Sequence, residues 1–427
     1  MNAASAVGVQ VVGFGPAAMG IAVAADRFDL LDRLLDSGLV FLERWPDRAT
    51  AAAARFPWRI LSNSPGRDFL ESIRREGAFA PVLRARAASA IVAAPKRPVW
   101  LRHVSALLRD LGDRLEALQA ARGRGGVRYG AVVARIAIDR AGLFTSYDAA
   151  GAPLVRSRAV VLATGARERI EEARALLPEG ATIVASSAVL AGDLAPVEAA
   201  ICAGAPVVIL GSSHSAFGVA ELILRTHGKL TATGQVKIAV KGEVALYHAS
   251  LEEARASGSS PAVHAVCRER GEVNRFNGLR GPAKELCLRI RGDRERRVAI
   301  ADVAALPRSF ARETLFISAL GYTPTSPPLF GADGAPITLA TEPGFSTDEK
   351  GQLLTPRREL AAPWAFGIGL GHPHLDGSMR PRVGLNCFHG PDAARIVRGA
   401  LYRTGRTSEG TETPSTDSGC QLAQPWR

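Results

Sequence analysis

The chain has 427 residues, 47% of them apolar and 22% charged, with a formal charge of +12. That composition excludes a disordered or fibrous protein, and the length favours two domains over one. Only six of the 53 basic residues are lysine, the excess is spread along the chain, and aromatics are scarce at 6%. No basic run marks a nucleic-acid surface, so no nucleic-acid partner is expected. Five cysteines without a Cys-x-x-Cys pair predict neither a disulfide framework nor a redox dithiol, in keeping with a reducing cytoplasm. There is no basic, apolar leader pattern and no run of about 18 apolar residues, so neither a signal peptide nor a membrane span is predicted.

In chain order, Val7 to Val12 reads as a short buried strand entering Gly13-Phe-Gly15-Pro16-Ala-Ala18, then a helix. A second buried strand, Gly38 to Leu42, ends at Glu43. This is a β-turn-α-β unit with phosphate-binding spacing, Ala18 standing for the third glycine. Gly13 permits a tight turn, and Gly15 lets the backbone approach a pyrophosphate. Ala18 and Ala22 keep the helix close to the sheet, and the free amides of the helix start face the anion. Glu43 would accept hydrogen bonds from a ribose. A bare βα turn without ligand is the plainer alternative.

Residues 97–120 carry the apolar spacing of an amphipathic helix. Three strand-like stretches follow, Val127–Ile138, Leu143–Tyr147 and Pro153–Ala163, the last entering Thr164-Gly165. A second βα start lies at Pro206 to Leu210, with Gly211-Ser212-Ser213-His214-Ser215 as its turn. The next strand, Gln235–Lys241, ends in a base rather than an acid. Lys241 is either a partner for a phosphate of a bound dinucleotide or a solvated surface residue. His214 is either a donor to an anion or a turn residue bonded to backbone. Thr314 to Tyr322 resembles the Ala163-Thr164-Gly165 segment, and Trp364 to Gly371 is an apolar strand entering a glycine turn. His372, His374 and Asp376 have metal-ligand chemistry, but Pro373 breaks any helical spacing, and no metal site is expected. Pro391 opens a final helix. Residues 404–427 hold eight Ser/Thr and read as a disordered tail.

The order of these motifs resembles the flavoproteins with two dinucleotide-binding domains. Within that group the chain is similar to the lysine and ornithine N-hydroxylating monooxygenases. Leu61-Ser-Asn63-Ser64-Pro65 with Phe69-Leu70 resembles that family's flavin-facing stretch, and Pro95-Lys-Arg97 its Pro-x-Arg helix entry. His214-Ser215-Ala216 resembles its Gln-Ser-Ala, and Ser186-Ser187 sits where it has a His-Ser pair. Leu320-Gly321-Tyr322 resembles its Ala-Thr-Gly-Tyr, and Val273-Asn274 falls where its substrate loop carries Asn. Ser213 departs from the family by replacing the second glycine of the NADPH turn.

The resemblance implies an α/β fold: a Rossmann-like FAD-binding domain (1–195 and 306–403) with an inserted Rossmann-like NAD(P)H-binding domain (196–305). For FAD it implies Gly13, Gly15, Pro16, Ala18, Glu43, Arg44, Val133, Thr164, Gly165, Gly369, Asn386 and Phe388. For NADPH it implies Gly211, Ser212, Ser213, His214, Ser215 and Lys241. Asn63, Ser64 and Asn274 are the candidate catalytic positions, with turn formation as the bland reading of Asn63 and Ser64. The implied reaction is oxygenation of a small amine by molecular oxygen through a C4a-hydroperoxyflavin, by a cytoplasmic enzyme that is possibly a homo-oligomer. Two rivals stay open: a flavin oxidoreductase without oxygen insertion, and a flavin-binding protein whose NADPH site has decayed.

Overall fold

The computed structural model describes residues 6–51, 58–259, 265–266, 271–274, 278–305, 313–341, 346–369 and 391–405. Its first sheet is built around the strand Val7–Val12, buried along most of its length, as a strand covered on both faces must be. That strand pairs in parallel with Leu39–Leu42 on one side and with the long strand Pro153–Leu162 on the other. Gly126–Arg128 extends the parallel array beyond Leu39–Leu42, and Ala365–Gly367 pairs in parallel alongside Val160–Leu162, the last residues of the long strand. The first half of Pro153–Leu162 instead joins an antiparallel meander with Arg135–Ile138 and Phe144–Tyr147. The helices Pro16–Arg27, Leu101–Arg122 and Pro391–Gly405 cover one face of the array, where Met19, Ile21, Leu111 and Val397 share one apolar core. The meander covers the other face through Ile136, Phe144 and Val155.

Two sequence expectations shift here. The stretch 127–138 is two strands, because the chain between them turns back on the Glu43 segment: the Ala131 N–H donates to the Glu43 carbonyl at 2.9 Å. The helix expected from residue 97 starts at Leu101. Pro98 biases Arg97 away from helical backbone, and Pro98–Trp100 forms a strand against Leu61–Pro65. This helix runs to Arg122 and ends on Gly123 at φ 63°.

The second sheet is parallel throughout. Its order is Thr182–Ala185, Leu315–Ser318, Val207–Leu210, Val236–Val240, Val298–Asp302. Two of these strands lie outside the 196–305 bounds expected for the inserted domain. Thr182–Ala185 and Leu315–Ser318 pair with each other in register, so the sheet takes strands from both sides of that span. Between the sheets the chain passes twice, at Ala166–Glu168 and at Tyr322–Pro324. These two crossings pair as an antiparallel ribbon. The last helix continues to Gly405, past the 403/404 boundary expected for the tail.

Candidate functional site

The first glycine turn follows Val7–Val12, where three neighbouring parallel strands end together. Gly13 has φ +103°. Its N–H donates to the Leu42 carbonyl at 2.8 Å, and Ala163 donates to the Val12 carbonyl at 2.9 Å. A Cβ at Gly13 would lie 3.0 Å from the Ala163 carbonyl carbon and closer still to its oxygen. Gly13 is therefore dictated by the Ala163-Thr164-Gly165 turn packed behind it. The third turn also arrives here: Ile368 donates to the Leu162 carbonyl, and a Cβ at Gly369 would sit 3.3 Å from the Ala17 methyl. The crevice outside these carboxyl ends, where strand order reverses, is where open α/β sheets bind ligands.

Glu43 is 2% exposed. Its Oε2 accepts the Phe14 N–H at 3.0 Å and its Oε1 the Trp45 N–H at 3.1 Å. These bonds fix the carboxylate against the glycine turn and leave acceptor capacity on both oxygens. Exposed Arg44 lies over the Trp45 ring at 5.2 Å. Half-buried Val133 follows the Gly130–Ala131 segment that bonds back to Trp45 and Glu43. The Thr164 hydroxyl donates to the Thr325 carbonyl, and the Thr325 hydroxyl donates to the Thr164 carbonyl at 3.2 Å. Thr164 therefore latches the two chain crossings together.

The second turn repeats the first, bond for bond. Gly211 has φ +141°, and its N–H donates to the Ala239 carbonyl at 2.9 Å. Ala319 donates to the Leu210 carbonyl at 2.8 Å, and a Cβ at Gly211 would lie 2.9 Å from the Ala319 carbonyl carbon. Gly211 and Ala319 thus do what Gly13 and Ala163 do. Ser213 corresponds to Gly15: both precede the helix, at φ −108° and −101°, in extended backbone open to any residue. The same register makes Val240 the counterpart of Glu43, and Lys241 the counterpart of Arg44. Lys241 is exposed and follows the strand directly. Ser212 and Ser215 are half-buried at the turn and in the first helical turn.

Both helices suit an anionic dinucleotide. Among the described residues no side chain caps the start of Pro16–Arg27 or of His214–His227, and neither first turn holds an acid. The orphan amides and the positive dipole end are left for a ligand. By contrast, the helix Leu251–Ala256 is capped by Ser250, which accepts from the Glu253 N–H at 3.1 Å.

His214 is the first residue of its helix, and its Nε2 accepts the Arg280 N–H at 3.0 Å. Burial, with Arg280 beside it, pushes its pKa down to about 4. It is a neutral imidazole bonded to backbone and does not meet a phosphate as a cation. Asn274 sits at φ 51°, with its Nδ2 donating to the Leu246 carbonyl at 3.0 Å. That bond gives its amide a role in shaping the loop. Ser64 is buried on the strand Leu61–Pro65, whose backbone also contains Asn63; its carbonyl accepts from the Ser62 hydroxyl at 2.6 Å. His214 leads to Arg280-Gly281, a junction the sequence did not single out. Arg280 bonds His214 and lies over the Tyr247 ring at 3.9 Å, and a Cβ on Gly281 would touch the Pro98 ring at 3.2 Å.

Glu168 was also missed. Lying on the crossing ribbon, it accepts the Ser186 and Ser187 N–H groups at 3.0 and 3.1 Å and both serine hydroxyls. Ser186-Ser187 is therefore bound to the crossing. Burial and the Glu168 charge raise the pKa of Tyr322, which is paired with Glu168 in the ribbon. Asn386 and Phe388, like His372, His374 and Asp376, lie outside the described residues. Among the described residues no group of three His, Cys, Asp or Glu side chains could hold a metal ion, and no helix is long and apolar enough to cross a membrane.

No family model matches the sequence. A curated relative, the CMP-5′-(3-aminopropyl)phosphonate hydroxylase of Streptomyces rubellomurinus, is 28% identical over 94% of this chain and 98% of its own. Among solved structures, the L-lysine 6-monooxygenase of Pseudomonas syringae superposes with a TM-score of 0.58 at 17% identity, covering 93% of this chain and 99% of that one. An ornithine N-hydroxylase of Kutzneria gives 0.56 at 16% identity, covering 93% and 99%. The thioredoxin reductase of Lactococcus lactis gives 0.50 at 15%, covering 93% and 98%. The fold is that of the flavoproteins with two dinucleotide-binding domains, as the motif order implied.

Proposed function

We propose that this chain is an FAD- and NADPH-dependent monooxygenase that hydroxylates the nitrogen of a primary amine. The observation that carries the reading is the duplicated turn: two helix starts, equivalent in backbone bonding and both uncapped, on two sheets joined by one latched ribbon. Two nucleotides held this way can be brought face to face for electron transfer. The likeness to the aminopropylphosphonate hydroxylase over nearly the whole chain supports oxygenation at an amine. Fold likeness alone would not choose, because reductases share it.

In this account Gly13, Gly15, Pro16, Ala18 and Glu43 hold the FAD pyrophosphate and ribose, with Arg44, Val133, Thr164, Gly165 and Gly369 lining the same crevice. Gly211 to Ser215 hold the NADPH pyrophosphate. Val240, where the first unit has an acid, removes the carboxylate that would repel a 2′-phosphate, and Lys241 supplies the opposite charge. When bound, FAD would supply the two-electron redox chemistry by which NADPH reduces O₂, one oxygen atom entering the amine and the other leaving as water. The balance is R-NH₂ + O₂ + NADPH + H⁺ → R-NHOH + H₂O + NADP⁺. The chain's own part is to orient the two nucleotides, exclude water from the space between them and hold the amine there.

The test is to supply purified, FAD-loaded protein with NADPH, ¹⁸O₂ and a panel of primary amines. The panel would contain lysine, ornithine, 3-aminopropylphosphonate and its CMP ester. A product 18 mass units heavier than the amine, formed with matching NADPH consumption, supports the reading. NADPH oxidation that yields only peroxide with every amine would favour the oxidoreductase without oxygen insertion.

A further inference from the structure

The second glycine turn, 211–215, meets a backbone junction at Arg280, and His214 is the side chain that joins the turn to it. Its Nε2 accepts the Arg280 N–H at 3.0 Å. Arg280 immediately precedes the helix Gly281–Arg291. From there back to Val273 the described chain is laid on 245–248. Tyr247 donates to the Leu279 carbonyl at 3.0 Å, Leu279 to the Ala245 carbonyl at 2.9 Å, and Val273 to the His248 carbonyl at 2.9 Å. Asn274 closes the loop by accepting the Gly278 N–H at 2.8 Å on its carbonyl. Gly281, at φ +47°, abuts the Pro98 ring of the first half of the molecule.

We propose that His214 is a positioning residue that couples dinucleotide binding at the second glycine turn to the backbone segment 278–281 beside it. This rests on the reading of that turn as the NADPH site. Because Nε2 accepts from backbone, the neutral ring carries its proton on Nδ1. One face of the imidazole is spent on the loop and the other nitrogen remains a donor at the helix start. Burial keeps the ring neutral, so the acceptor role persists at neutral pH. A nucleotide that fixes the helix start fixes the imidazole, and the imidazole fixes Arg280 and the loop. By linkage, the loop's order then strengthens nucleotide binding by the same factor.

The test uses the full-length, FAD-loaded chain and NADP⁺ as the probe. Affinity is measured by titration calorimetry and loop order by hydrogen exchange of peptides spanning 278–284. In the wild type NADP⁺ slows exchange there. His214→Leu, which removes the acceptor, binds NADP⁺ about tenfold more weakly and shows no NADP⁺-dependent slowing. His214→Gln, whose amide both accepts and donates, restores both. Wild-type affinity in His214→Leu, or equal slowing in it, overturns the proposal. Should His214→Leu fail to fold, imidazole ¹⁵N shifts of the wild type at pH 7 decide. A proton on Nδ1 with Nε2 bare supports the coupling, and a proton on Nε2 overturns it. Failure of NADP⁺ to bind the wild type at all overturns the NADPH reading, and this proposal with it.

Discussion

Gly13→Ala is the substitution whose effect the structure specifies most tightly. The added methyl would lie 3.0 Å from the Ala163 carbonyl carbon and nearer its oxygen. Neither backbone can yield cheaply, since Gly13 is bonded to Leu42 at 2.8 Å and Ala163 to Val12 at 2.9 Å. The residue would also have to adopt φ +103°, where a side chain costs about 1–3 kcal/mol. Overpacking against a fixed carbonyl adds about 1–3 kcal/mol. Together the substitution costs about 2–6 kcal/mol, felt as lost stability, lost FAD affinity, or both. Gly211→Ala meets the same obstruction from Ala319, in the other sheet. The assay is the flavin-to-protein ratio after gel filtration, with the urea midpoint and NADP⁺ affinity on the same samples. Gly13→Ala is expected to lose FAD. Gly211→Ala is expected to keep FAD and lose NADP⁺ binding. A Gly13→Ala protein that retains stoichiometric FAD at the wild-type midpoint would refute the steric argument. A Gly211→Ala protein that loses FAD yet keeps NADP⁺ would reverse the assignment of the two turns.

Glu168→Ala removes the acceptor of four hydrogen bonds from Ser186 and Ser187 and is expected to cost about 2–4 kcal/mol. That lowers the apparent melting temperature of a chain this long by about 3 °C, and an unchanged melt in calorimetry would show the clamp to be idle. The His214 pKa, lowered from 6.5 to about 4, gives stability a pH dependence. The fold favours the neutral ring, so its contribution is complete above about pH 6.5 and is lost as pH falls towards 4, by at most about 3 kcal/mol. Urea midpoints at pH 7 and 4.5 should therefore fall less in His214→Gln than in the wild type, and equal falls would contradict the assignment.

Most of the fold was legible because its signals are local. A run of apolar residues entering a glycine turn, such as Val7 to Gly15 or Pro206 to Ser213, states strand, turn and helix within about ten residues. The resemblance of Thr314–Tyr322 to Ala163-Thr164-Gly165 was also visible, but its meaning was not. Ala163 and Ala319 supply the carbonyl behind Gly13 and Gly211, a contact across 150 or 108 positions that no local pattern encodes. That the second sheet takes strands from outside 196–305 was hidden for the same reason. Thr182–Ala185 is a short, half-exposed edge strand, recognisable only by its pairing with Leu315–Ser318. Arg280 escaped notice because its contact to His214 is made by a backbone N–H, which carries no residue signature. Glu168 was hidden among the many charged residues until the ribbon set it against Ser186 and Ser187.

The two glycine units can be read against each other as an internal control. Where they agree, at Gly13 and Gly211 or Ala163 and Ala319, the shared feature is chain packing on chain. They differ at Gly15 and Ser213, and at Glu43 and Val240. Gly15 and Ser213 have nearly the same backbone angles, so conformation does not explain why one is glycine and the other serine. On the proposed reading, a pyrophosphate on the first turn would approach the backbone at Gly15 directly, and the ligand of the second turn would stand off by the width of the Ser213 side chain. Glu43 and Val240 differ in the same sense. The first unit offers a carboxylate held by the amides of Phe14 and Trp45, while the second offers an apolar side chain with Lys241 beyond it. A tightly seated nucleotide with a free ribose and a more loosely seated one with a ribose phosphate are what these differences ask for, and they suit a resident cofactor and a substrate nucleotide that must come and go.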